Sequence, residues 1–197
     1  MIEIKQGEIK ELTLSIKTTV ADPEQMGSAA DDVLDMLKRV VDGERVSDEE
    51  IDRLIDDEET VEMELCTEAV ASVNREGNVE ISYWENEDDE ALKTLSKIIF
   101  NPCDPDLVVM TKEGAMSAIL SFEEGKTHVC TYKTPFMPIK VYVTASLVDN
   151  RLLCDGYLGL NYVLVLNDTP PQRFSVKVAA KEAPKDDIGN MISNVII

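Results

Sequence analysis

Along most of the chain apolar residues alternate with polar ones, the period-two pattern of a strand with one buried face. Leu12, Leu14, Ile16 and Val20 alternate with Thr13, Ser15, Lys17 and Thr19, which predicts a first strand over about Glu11 to Ala21, ending at Asp22-Pro23. The period then changes. Ser28 can cap a helix whose Val33, Leu34, Leu37, Val40 and Val41 share one face, with Asp31 and Asp32 in its first turn and Gly43 past its end. A second helix is predicted from the capping box of Ser47 and Glu50 through Ile51, Leu54 and Ile55, closing near Glu59. Strand character returns from Thr60 to Val73. The turn Asn74-Arg75-Glu76-Gly77-Asn78 leads into Val79, Ile81 and Tyr83, alternating with Glu80, Ser82 and Trp84. After an acidic loop from Asn86 to Glu90, Leu92 to Phe100 reads as strand, although its pattern also tolerates a helix, and Asn101-Pro102-Cys103-Asp104-Pro105 ends it.

From Leu107 to Leu147 the pattern predicts four consecutive antiparallel strands. Lys112-Glu113-Gly114 and Glu123-Glu124-Gly125 are short polar turns ending in glycine, and Thr134-Pro135-Phe136-Met137-Pro138 is a corner, since neither proline can donate to a ladder. Ile139, Val141, Val143, Ala145 and Leu147 then alternate with Lys140, Tyr142, Thr144 and Ser146. Leu152 to Leu166 is a long apolar run interrupted by Gly156 and Gly159, which predicts a bend or bulge. After Asn167-Asp168-Thr169-Pro170-Pro171, the residues Phe174, Val176 and Val178 mark a final strand. The count is about ten strands, mostly joined by short turns. A meander of that length usually closes, because closure removes exposed edges. The expected fold is therefore mainly β: a closed or nearly closed antiparallel barrel in one domain over 1–181, with a two-helix insertion at 27–59 between the first two strands. The tail, 182–197, is either frayed or docked. Which face of each strand points inward stays open, because a one-residue slip inverts it.

A chain of 197 residues can bury a sizeable core without disulfides or metals. Its 39 acidic against 19 basic residues give a net charge of −20, which disfavours nucleic acid and anionic membrane surfaces as partners. There is no apolar run long enough for a membrane span, and MIEIKQGEIKELTL lacks the features of a signal peptide, so a cytoplasmic location is expected. Cys66, Cys103, Cys130 and Cys154 form no close pair and are expected to be free thiols, mostly small core residues.

Catalytic chemistry finds little support. His128 is the single histidine; as a general base it would need an orienting carboxylate and a nucleophile that the sequence does not place. Phosphate-loop, dinucleotide and nucleophile-elbow patterns are absent, and the carboxylate runs follow no calcium-loop spacing. No catalytic residue, metal ligand or cofactor is assigned. The aromatics are more informative: Tyr83, Trp84, Tyr132, Tyr142, Tyr162 and Phe136 lie on strands or a corner, where each either lines a cavity or fills the core. Lys112, Thr134 and Thr144 are candidate polar anchors, or else turn and outward-facing positions.

Several of these pieces together resemble the YwiB-like proteins, an uncharacterised bacterial domain of unknown function with a lipocalin-like (calycin) barrel. The resemblance rests on Tyr83-Trp84-Glu85, Thr94, Lys112-Glu113-Gly114, Leu120-Ser121-Phe122 with Gly125, Tyr132-Lys133-Thr134-Pro135-Phe136, Thr144 and Tyr162-Val163-Leu164, and spans about Leu12 to Lys181. Two positions depart from the family pattern: Lys112 stands where it has arginine, and Met137 where it has glycine. A bidentate anion contact by that arginine would not transfer intact to lysine. The favoured expectation is a non-enzymatic barrel with a small, partly apolar ligand inside, contacted by Tyr83, Lys112, Tyr132, Thr134, Phe136, Thr144 and Tyr162. The alternative is an interaction module whose acidic helices face a basic protein partner, and an enzyme comes third.

Overall fold

The computed structural model describes residues 1–21, 60–114, 117–133, 137–166 and 171–183. Ten strands form one closed antiparallel meander: β1 (Ile9–Ala21), β2 (Thr60–Val73), β3 (Val79–Glu85), β4 (Thr94–Asn101), β5 (Asp104–Glu113), β6 (Ser117–Glu123), β7 (Thr127–Lys133), β8 (Pro138–Arg151), β9 (Tyr157–Leu166) and β10 (Gln172–Glu182). Each strand pairs with the next, and β10 returns to β1, which leaves no free edge. The helical insertion expected at 27–59 and the tail beyond 183 lie outside the described residues, and with them the alternative reading built on acidic helices. No helix among the described residues is long and apolar enough to cross a membrane.

Alternation sets the interior, as in Leu12, Leu14 and Ile16 on β1 or Leu158, Leu160 and Tyr162 on β9, all buried. On β8 the expected alternation does not run through. A register shift between Ala145 and Leu147 passes the inward set from Val141, Val143 and Ala145 to Val148, so Leu147 is only partly buried. Leu152 to Leu166 is likewise not one strand: Leu152–Asp155 is a single helical turn, α1, and Gly156 in the left-handed region (φ 76°) sends the chain into β9. The cysteines also depart from expectation. Cys130 is buried, but Cys66, Cys103 and Cys154 are exposed, because only Cys130 falls on the inward parity of a fully enclosed strand segment.

The two ends of the barrel differ. At one, α1 and the N-terminal segment act as a stopper: Leu152 and Ile2 are buried, and the Ile2 amide donates to the Leu153 carbonyl at 2.9 Å. Gly156 holds that stopper against β10, with its carbonyl accepting from the Ala180 amide at 2.7 Å. A Cβ there would sit 2.2 Å from the Ala180 oxygen, in a backbone conformation that L residues disfavour. Gly156→Ala is expected to cost about 2–3 kcal/mol, from the left-handed backbone and the lost hydrogen bond together; equilibrium urea unfolding measures it. The opposite end, where β3 and β5 finish and β4 and β6 begin, has no such stopper among the described residues.

Candidate ligand cavity

Register lines up one row of side chains around this second end. Tyr83 on β3 is the partner of Ser96 on β4, Ser96 of Lys112 on β5, Lys112 of Ala118 on β6, and Ala118 of Tyr132 on β7. The row therefore runs at one level of the barrel. Ala118 is the small member, and its short side chain leaves room for Lys112 and Tyr132 on either side. Glu85, two residues beyond Tyr83, shares its inward face one step nearer that end.

Glu85 gathers the polar groups of this row. Its Oε1 accepts from the Ser96 hydroxyl at 2.7 Å, and its Oε2 from Lys112 Nζ at 2.8 Å. Burial first, then the Glu85 charge, pushes the Tyr83 phenol far above its ordinary range, and Tyr132 is raised by the same two causes. Tyr162 is raised mainly by burial. Its ring lies between Phe122 (centroids 4.8 Å apart, tilted) and Phe174 (5.0 Å, stacked), so two aromatic contacts fix its orientation.

These residues border a cavity of about 450 Å³. Ile16, Leu65, Met110, Leu120, Leu164 and Phe174 supply the apolar wall, while Glu85, Lys112 and the phenols of Tyr83, Tyr132 and Tyr162 supply the polar side. A second void of about 210 Å³ touches Leu92, Thr94 and Ala118. Glu85, Asn86, Lys112 and Tyr132 line both voids, so the ion pair forms part of the partition between them.

Of the residues expected from the sequence, Tyr83, Lys112, Tyr132 and Tyr162 meet at this cavity. Thr134 and Phe136 lie outside the described residues. Thr144 does not line this cavity: it alternates with the inward Val143 and Ala145 and, itself buried, places its Oγ1 2.8 Å from that of Thr127. Glu85 and Ser96 are additions. For Glu85 the signal was a carboxylate two residues after Tyr83, on a strand face otherwise occupied by core residues. Ser96 needed the pairing register. His128 is partly buried, with Nε2 3.6 Å from Glu123 Oε2 and no hydrogen bond among the described residues. No group of three potential metal ligands occurs among the described residues.

The half-buried ion pair predicts a particular mutational pattern. Lys112→Met strands the Glu85 carboxylate and is expected to cost about 1–2 kcal/mol, less than a fully buried pair because Lys112 keeps 36% of its side chain exposed. Adding Glu85→Gln to Lys112→Met is expected to recover part of that loss, since the remaining amide carries no charge to desolvate. A double-mutant cycle by urea unfolding reads the coupling, and strict additivity would contradict it.

A family model described as Domain of unknown function (DUF1934) matches residues 50–178. The fold is similar to that of the YwiB protein from Bacillus subtilis, whose crystal structure superposes with a TM-score of 0.60 over 89% of this chain and 94% of that chain. Sequence identity between the two is 14%, so the likeness is one of fold alone. No curated protein matches the chain.

Proposed function

The chain belongs to the family described as Domain of unknown function (DUF1934), and from that premise we propose that it is a non-enzymatic barrel that takes a small, partly apolar ligand into its interior. The YwiB-like resemblance of the sequence agrees with this membership, and the barrel with the fold of that protein. The observation that carries the proposal is the cavity itself. It is about 450 Å³, within the range of small-molecule sites, and one apolar wall faces one concentrated set of polar groups. A barrel interior filled only for stability would be expected to close on side chains, as this one does around Phe122, Leu158 and Leu160.

The chemistry of the polar set favours anchoring over catalysis. A general base needs a free lone pair aimed at substrate. Each oxygen of Glu85 is held by one donor, Ser96 or Lys112, which fixes the carboxylate as an anchor of the polar set although each oxygen keeps a second lone pair. The net charge of −20 supports a setting without nucleic-acid or anionic-membrane partners, in keeping with a cytoplasmic location. A lipocalin-like ancestry is the analogy closest to this reading.

The test is native mass spectrometry of the purified protein, followed by denaturing extraction. A reproducible extra mass released on unfolding, and absent from a Leu120→Trp variant whose indole fills the cavity, is the expected result. Identical apo masses for both proteins, together with identical thermal stability in a metabolite extract, would count against a ligand site.

A further inference from the structure

Within the cavity, two phenol hydroxyls have no hydrogen-bond partner among the described residues. Tyr162 is 8% exposed and lines the void, yet its hydroxyl makes no hydrogen bond among the described residues; the same is true of the Tyr132 hydroxyl. The side chains around Tyr162, Phe122 and Phe174, offer rings and no acceptor. Tyr132 and Tyr162 lie close enough for the ionisation of one to affect the other. Lys112 Nζ stands at the same cavity with three N–H donors, one of which Glu85 uses. Both phenols are protonated at neutral pH, as any tyrosine is, and burial raises them further. The site therefore presents three donors around one void.

Charge decides which acceptor they suit. Lys112 is already balanced by Glu85, and Glu64 also borders the cavity. A carboxylate ligand would add a second uncompensated negative charge beside Glu85 and Glu64, within a chain of net charge −20. An ammonium would meet Lys112 and find Glu85, the inward carboxylate, already paired with it, while Glu64 is exposed to solvent. An alcohol brings a proton of its own, and Glu85, the acceptor at hand, already receives Ser96 and Lys112. A carbonyl oxygen accepts two or three hydrogen bonds, carries no charge and has no proton to place.

Resting on the ligand-site reading above, we infer that the cavity binds a neutral, mostly apolar molecule of on the order of a dozen non-hydrogen atoms, through a carbonyl oxygen (ketone, ester or amide) held by Tyr132, Tyr162 and Lys112. The apolar remainder packs against Met110, Leu120 and Leu164.

Isothermal titration at pH 7 with 2-octanone, 1-octanol, octanoate, octylamine and the apolar reference toluene tests this. 2-Octanone is expected to bind about tenfold tighter than octanoate or octylamine and several-fold tighter than 1-octanol. Tyr162→Phe and Tyr132→Phe keep the rings and remove only the hydroxyls. Each is expected to weaken 2-octanone about 3–10-fold while leaving toluene unchanged. Octanoate or octylamine binding as tightly as 2-octanone would overturn the carbonyl assignment and leave the ligand site standing. Equal affinities in wild type and both hydroxyl variants would overturn the roles of the tyrosines. Binding of no member, toluene included, would overturn the ligand site and this inference with it.

Discussion

Phe122→Ala is expected to destabilise the barrel by about 3–5 kcal/mol, the usual range for emptying a buried aromatic site. Phe122 is fully buried, pairs across the ladder with Val108, and packs its ring against Tyr162, which lines the cavity. Its loss removes apolar burial, leaves a void that the closed sheet cannot collapse into, and takes away one of the two rings that hold Tyr162. A barrel is poor at absorbing such a change, because each strand is pinned by two neighbours. Urea unfolding monitored by circular dichroism measures the loss. A loss below about 1 kcal/mol would mean that the core around Phe122 is not packed as described.

Alkaline pH is expected to have an effect of similar size. Tyr83 and Tyr162 are held neutral by burial, with Glu85 adding to the effect at Tyr83 and Tyr132 at Tyr162, so both folded values lie above the ordinary tyrosine value of 10. Above that value the unfolded chain sheds these protons while the folded barrel keeps them. The stabilisation from neutral burial is thus complete below pH 10 and lost as the pH climbs toward the folded values. Each buried tyrosine removes about 1.4 kcal/mol per pH unit, so the pair removes about 5 kcal/mol between pH 10 and 12. Phenolate absorbance at 295 nm should show a late, steep step that coincides with the loss of far-ultraviolet circular dichroism. The double variant Tyr83→Phe/Tyr162→Phe should flatten the pH dependence. Smooth ionisation of all five tyrosines with the fold intact would refute it.

Much of the architecture was legible in advance because alternation is a local property. Thr13, Ser15 and Lys17 between Leu12, Leu14 and Ile16 define a one-sided strand whatever lies beside it, and the glycine turn of Asn74 to Asn78 predicts the β2–β3 hairpin. Where local and tertiary signals diverged, the reason is identifiable. The run Leu152 to Leu166 is apolar throughout because its first turn plugs the barrel end while the rest crosses the core, two burials with different geometry and the same composition. The alternation of β8 conceals a register shift, since an extra residue changes the facing of those after it without changing their identity.

The site divides in the same way. Tyr83, Lys112, Tyr132 and Tyr162 were recognisable one by one as aromatic or cationic side chains on strands, and Thr144 was equally recognisable and is buried against Thr127, off the cavity lining. Only pairing distinguishes them, because inward and outward differ by a single position. The sequence by itself determined the antiparallel meander, its approximate strand count, the acidic surface and the lack of a recognisable catalytic motif, all of which depend on neighbours along the chain. The tertiary structure alone decided that Tyr83, Ser96, Lys112, Ala118 and Tyr132 form one row, that Glu85 is shared by Ser96 and Lys112, and that a void remains beside them. Those features arise from the register of five separate strands and the volume left after their side chains pack, quantities that no local stretch of residues contains.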